Sequence, residues 1–240
     1  MALITDILAR CARQCSVPAP SSWLTTTAPG AVSLRDDYML ETAEDILDRC
    51  DLPYPVSDET TITGTGATDY ALPADFLRAQ RGAFAVQEST GSSRRIDPLP
   101  DDGDWSYFNQ TGNVGADRIY RITGYPGAYR IWFLRTLATG ETARVNYVTT
   151  HWMATTGGTA GSAFTADTDV ALVPRRLLET GIVYRFRQRR GLNYEDKFLE
   201  YERVMARYAQ SVRGIKRIEY GASQPRSPWD IPVPDTIPST

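Results

Sequence analysis

The sequence predicts an α+β fold. N-terminal helices and a C-terminal helical hairpin form a helical bundle, a small antiparallel β-sandwich or barrel is inserted between them, and an extended proline-rich arm ends the chain. Three observations predict it. Apolar residues recur at helical spacing over the first 50 residues and again after residue 173. Residues 59–150 switch to short β-branched and aromatic runs punctuated by turn residues. Residues 221–240 hold five prolines, and proline removes amide donors and fixes φ, so neither a helix nor a central strand can form there.

Ile4, Ile7, Leu8 and Cys11 stand at i, i+3, i+4 and i+7, one face of a first helix. Pro18 and Pro20 break it, and Pro29 with Gly30 is expected to close a loop. Ser33, three residues before Asp36, reads as a capping-box-like start of a second helix. Met39, Ala43, Ile46, Leu47 and Cys50 line its inner face, and the Leu-Pro-Tyr-Pro run at 52–55 ends it.

The expected strands are Thr60–Thr63, 69–73, 83–86, 118–122, 128–134 and 143–148, five to seven in all. Turn chemistry separates them at Gly64–Gly66, Gly91, Asp102-Gly103, Thr111–Asn113, Tyr125–Gly127 and Thr139-Gly140. Tyr129, Ile131 and Phe133 share one face of a strand whose other face holds Arg130, Trp132 and Leu134, so that strand is expected to be central or covered on both sides.

Residues 155–169 read as a flexible loop. Pro174 suits the start of a helix through Leu177, Leu178, Gly181, Ile182 and Tyr184, with Gly191 as its stop. Asn193 caps the next helix, where Tyr194, Phe198, Tyr201, Met205, Tyr208 and Val212 form a stripe expected to be core. The expected organisation is helices over 1–55, a β-domain over 59–152, the loop over 153–172, the hairpin over 173–217 and the arm over 218–240.

Composition limits the chemistry. The chain has 240 residues, 42% hydrophobic and 23% charged, which is enough for a core and too apolar for a wholly disordered chain. No apolar run approaches the ~20 residues of a membrane span, and the N-terminal stretch carrying Asp6 makes a poor signal peptide, so a soluble intracellular protein is expected. Cys11, Cys15 and Cys50 then read as reduced thiols. With His151 they number a Cys3His set, but the spacing is not that of a zinc knuckle.

One histidine leaves little for a Ser or Cys nucleophile. No G-x-S-x-G surrounds a serine, and neither lysine follows a phosphate-binding loop. Asp101, Asp102 and Asp104 read as a solvated turn lacking the twelve-residue calcium loop. No enzyme activity, cofactor or metal is expected.

Charge is uneven. The chain carries −3 overall, yet residues 174–217 hold twelve Arg or Lys against five Asp or Glu, a net +7. Either these cations pair at helical spacing on a wet face, or Arg185, Arg187, Arg189 and Arg190 face DNA or an acidic partner. Arg185 and Arg189 share a helix face and Arg187 lies on another, so the four cannot act together. In the arm, Trp229, Ile231, Val233 and Ile237 give an apolar pattern that a purely solvating tail seldom carries. They are expected to bind a neighbouring subunit, with Trp229 as anchor.

The order of these parts resembles one family. The residues that carry it are Tyr70-Ala-Leu-Pro-Ala-Asp-Phe76, Ile119–Gly124, Tyr129–Phe133, Val145–Tyr147, Leu172-Val-Pro-Arg-Arg-Leu-Leu178, Arg189–Asp196 and Tyr201-Glu202. Over residues 1–215 the chain looks like the head-to-tail adaptor proteins of tailed bacteriophages.

The resemblance implies a non-enzymatic virion protein at the head–tail junction, assembled in the host cytoplasm. It implies a homo-oligomeric, typically twelve-membered ring that binds the portal protein, continues the channel around packaged double-stranded DNA and gives tail or nozzle proteins a platform, with no membrane partner. The portal is then the other partner expected for Trp229, Ile231, Val233 and Ile237. Two rivals come from the residues themselves. One is a carbohydrate-binding β-domain using Trp105, Trp132, Tyr107 and Tyr125, which requires at least two exposed, coplanar rings. The other is a carboxylate-dependent hydrolase.

Overall fold

A computed structural model describes residues 2–81, 85–90, 94–99, 101–111 and 118–212. The expected arm, with Trp229, Ile231, Val233 and Ile237, lies outside the described residues, as do parts of the 83–86 strand and of the Gly91 and Thr111–Asn113 turns.

The architecture is mixed α+β with several antiparallel sheets. A short strand β1 (Ala2–Leu3) leads into α1 (Ile4–Gln14), whose Ile4, Ile7, Leu8 and Cys11 are fully buried. The face read from their spacing is the core face.

The second helix starts earlier than its sequence signals imply. α2 (Pro29–Val32), a π-helical turn over Ser33–Tyr38 and α3 (Met39–Arg49) follow one another without a break. Pro29 is the first helical residue and Ala28 the cap, so the expected Pro29-Gly30 loop is instead a first turn. This is the position where proline's missing N–H costs nothing. Ser33 lies inside the helix with helical φ and ψ and does not cap it. In the π turn the Met39 amide bonds the Leu34 carbonyl five residues back, and Leu34, Tyr38 and Met39 are all buried.

The strands β2 (Ser57–Thr63), β3 (Asp69–Ala71), β4 (Phe76–Ala79), β5 (Val86–Glu88), β6 (Asp97–Pro98), β7 (Ile119–Thr123), β8 (Arg130–Leu134) and β9 (Thr142–Thr149) form two sheets. One has the order β2-β9-β4 with β5 also on β9, and the other runs β3-β8-β7-β6. Their apolar faces meet in one cluster containing Phe76, Val86, Ile131, Phe133, Val145 and Tyr147. Phe76 stacks on Tyr147 at 5.5 Å.

The far face of β8 is covered in part, with Leu134 buried, Trp132 half-buried and Arg130 exposed, and next to it lies a helix the sequence reading missed. α4 (Asp102–Thr111) begins at the acidic run expected to be a turn. Asp101 Oδ1 accepts the amides of Gly103 and Asp104 at 2.8 and 3.0 Å, a side-chain cap that starts the helix.

Residues 153–172 are ordered, contrary to their composition. β10 (Met153–Ala154) pairs with β11 (Ala160–Gly161) and with β12 (Val170–Ala171), and β12 pairs with β1. Asp169, fully buried, fixes the return: its Oδ2 accepts the amides of Thr165 and Ala166, both at 2.8 Å. Asp167 Oδ1 accepts the amides of Trp23 and Leu24 at 3.1 and 3.0 Å, which anchors the segment after α1. Short polar residues suggested mobility, but their hydrogen bonds are what order the loop.

α5 (Arg175–Arg189) and α6 (Glu195–Val212) complete a second apolar cluster with α1, α3 and the β1/β10/β12 edge. The two clusters are joined through Arg78. Its guanidinium donates to the carbonyls of Leu47 and Cys50 at 2.9 and 3.0 Å and pairs with Asp51 at 2.7 Å. A strand arginine thus satisfies the orphan carbonyls at the end of α3.

Candidate interaction surface

The helical hairpin carries most of the sequence-predicted site, and its ends are locally determined. Pro174 is the cap residue of α5 rather than its first turn. At the other end Gly191 has φ 67°, and the amides of Gly191 and Leu192 bond the carbonyls of Gln188 and Arg187 at 3.1 and 2.9 Å. This paired closure needs a left-handed residue that glycine adopts without strain. Asn193 Oδ1 then accepts the Glu195 amide at 3.3 Å as α6 begins.

The inner side of the hairpin is a polar network against α3. Arg185 is only 12% exposed and pairs with Asp45 at 3.2 Å and Glu41 at 3.8 Å. It donates to the Thr42 hydroxyl at 3.1 Å and lies over the Tyr184 ring at 4.7 Å. Asp45 also accepts the Tyr201 hydroxyl at 2.6 Å. Burial, then the carboxylate beside it, pushes that phenol's pKa up. Arg49 makes a two-pronged bond to Glu202 at 2.7 and 2.6 Å.

For Arg185, and in part for Arg189, these contacts favour the pairing alternative over a partner-facing one. Arg185 is committed inside its own chain, because a guanidinium this covered must be paired. Arg189 also pairs with Glu41, although half exposed. Arg187 and Arg190 have no ion pair among the described residues; Arg190 lies over the Phe186 ring at 5.5 Å.

The outer flank of α6 is different. The core contact centres on Tyr201, Val204 and Met205, all buried. Phe198, expected in the core stripe, is 40% exposed beside Leu199 at 49% and Leu192 at 53%. Tyr194 and Tyr208 are half-buried. Tyr201 and Met205 of the stripe are therefore core, Tyr208 packs at the core's margin, and Phe198 stands part-exposed; the side chain of Val212 lies outside the described residues.

A groove of about 470 Å3 opens between the end of α1, α5 and α6, bordered by Gln14, Arg176, Glu179 and Tyr208. It continues along α6 past Arg176, Leu199, Arg203 and Arg207, with Val204 in its floor. Arg176 pairs loosely with Glu200 at 3.5 Å. A hydrogen bond from Lys197 holds the Glu200 carboxyl below its usual range. Arg203 and Arg207 have no ion pair among the described residues. The signal missed in sequence is Leu199, Arg203 and Arg207 at four-residue steps, a face of α6 other than the Tyr201–Met205 face.

Other candidates are occupied by their own neighbours. Arg121 is clamped between Trp105 and Trp132, 4.6 and 5.8 Å from the ring centres, and bonds Asp102 at 2.8 Å. Trp105 is buried, so these two tryptophans are not the exposed platform a sugar-binding site requires. Tyr107 and Tyr125 are exposed.

His151 Nδ1 stands 3.7 Å from Asp75, which accepts the Tyr147 hydroxyl at 3.4 Å. The nearby Thr149 hydroxyl donates to the Val56 carbonyl at 3.0 Å. Cys50 Sγ lies 3.2 Å from Met205 Sδ inside the helical core. Burial raises the pKa of all three thiols, that of Cys15 to about 11. Among the described residues no three His, Cys, Asp or Glu are grouped to hold a metal ion, and no helix is long and apolar enough to cross a membrane. Compared with known proteins, the chain matches no family model and no curated relative.

Proposed function

We propose that this chain is a structural subunit of the head-to-tail adaptor type. In this reading it forms a ring, typically of twelve copies, that binds a portal protein, continues the channel around packaged DNA and receives tail components. The helices are a bundle and the two larger sheets a small sandwich inserted into it. The observation that carries the reading is the one-sided burial of α6. This long helix turns its inner edge to the core and presents Leu199, Arg203 and Arg207 outward beside the part-exposed Phe198, apolar area beside cations that have no ion pair among the described residues, as subunit interfaces do. The arm supports the same reading, since Trp229, Ile231, Val233 and Ile237 follow α6 after a sixteen-residue connection, 213–228, and suit capture by a neighbour or a portal.

Electron microscopy of the purified protein, alone and mixed with portal rings, tests the proposal. Rings or portal-bound collars are expected. A monomer that persists at high concentration and never docks overturns it.

A further inference from the structure

We propose that, in the isolated chain, the segment Trp229–Ile237 docks back into the groove between α5 and the outer flank of α6 of the same molecule. The inference does not rest on the ring reading, because it concerns a single chain before any assembly.

The groove is lined by acids as well as cations, but Glu179 pairs with Arg175 at 2.7 Å and Glu200 with Lys197 at 2.9 Å. With Asp196 the one acid left over against three arginines, it suits an occupant that is apolar and acidic together. Val204 floors it, Leu199 and Tyr208 stand along it, and Arg176, Arg203 and Arg207 rim it. Arg176 is 60% exposed, with one long contact to Glu200. The segment Trp-Asp-Ile-Pro-Val-Pro-Asp-Thr-Ile has that chemistry: Trp229, Ile231 and Val233 alternate with Asp230, and Asp235 follows, with no cation among them. Pro232 and Pro234 favour an extended polyproline conformation. Such segments are recognised by aromatic-lined and apolar grooves because little order is lost on docking.

Length fits. Eight helical residues separate Val212 from Val204, about 12 Å, and thirteen separate it from Leu199, about 20 Å. The sixteen residues 213–228 span at most ~55 Å, so the tether returns to the groove with slack. Trp229 to Asp235 covers about 19 Å at polyproline rise, comparable with the ~14 Å of α6 between Leu199 and Tyr208. A short intramolecular tether supplies an effective concentration in the millimolar range, so modest contacts suffice to fill the groove.

The test places a benzophenone amino acid at position 229 of the full chain and irradiates a dilute mixture of isotopically heavy and light protein. Cross-links are expected on Arg176 or on Leu199–Tyr208, heavy to heavy and light to light only. The exposed double variant R176E/R207E is expected to lower the docked-to-free ratio about fivefold, from two exposed charge pairs reversed. Mixed heavy–light cross-links would mean that a second copy supplies the segment and would overturn the proposal. Cross-links elsewhere, none at all, or a ratio unchanged by charge reversal would overturn it equally.

Discussion

Gly181→Ala is expected to destabilise the protein although it replaces glycine in the middle of a helix. Helix propensity alone favours the change by about 1 kcal/mol. Against it, a Cβ on Gly181 would sit 2.3 Å from Thr42 Cγ2 and 3.0 Å from the Tyr201 ring. Thr42 cannot simply rotate its methyl away. It is fully buried, its hydroxyl donates to the Tyr38 carbonyl at 2.5 Å, and it accepts from Arg185 at 3.1 Å. Overpacking of this kind costs about 1–3 kcal/mol, and so close a contact belongs at the upper end, leaving a net loss of about 2 kcal/mol. For a chain of this size that lowers Tm by roughly 4–8 °C.

Thr42→Ser removes the offending methyl and keeps the hydroxyl, at a cost of about 0.8 kcal/mol by itself. Combined with Gly181→Ala it should return stability to within about 1 kcal/mol of the parent, a coupling of ~2 kcal/mol in a double-mutant cycle. Urea denaturation of the four proteins measures it. A G181A protein as stable as its parent, or an additive double variant, would refute the claim that α3 and α5 meet here at a glycine's distance.

Asp101→Ala removes the acceptor for two amides at the start of α4 and should cost about 1 kcal/mol, read as a loss of protection of the Gly103 and Asp104 amides in hydrogen exchange. Cys15, whose pKa of about 11 reflects burial, should alkylate at pH 8 about a hundredfold more slowly than an unperturbed thiol. Cys11, more deeply buried, should react only on unfolding. The Ala138 amide and Arg118 hold the Glu141 carboxyl below its usual value. Its stabilisation is complete above the unfolded pKa of ~4.3 and is lost as pH falls through the lower folded value. The urea midpoint should therefore drop between pH 5 and pH 3, and drop less in Glu141→Gln.

Elements whose apolar spacing alone decides them were legible in the sequence: α1 with Ile4, Ile7, Leu8 and Cys11, the inner face of α3, and the strands around Ile131 and Phe133. Elements decided by a single side-chain-to-backbone hydrogen bond were not. Asp169 orders a stretch that its glycines and threonines describe as mobile, and Asp101 turns an acidic turn into a helix cap. Ser33 failed as a cap for the opposite reason, since four helical residues precede it and leave no free amides to bind. The groove was legible only in part: the stripe of α6 was visible, but which half of it meets α5 depends on where the helices cross.

The same distinction separates the arginines, and it can be measured. A net +7 over 174–217 counts charges, whereas a partner sees only the field left after pairing within the chain. Arg185 meets Asp45, Thr42 and two aromatic rings while almost covered. Arg185→Ala should therefore cost about 2 kcal/mol of stability, since a charged hydrogen bond and a ring contact are lost together. Asp45 keeps the Tyr201 hydroxyl and Arg49 at 3.6 Å, so the loss stops short of that for an orphaned buried charge. Arg203→Ala and Arg207→Ala, exposed and unpaired among the described residues, should each change stability by less than about 0.5 kcal/mol and should instead weaken the salt-sensitive part of any association with an anionic surface. If urea denaturation showed the reverse, with Arg185 dispensable and Arg203 or Arg207 structural, the partner-facing charge would belong to the end of α5 and the outer flank of α6 would be part of the core.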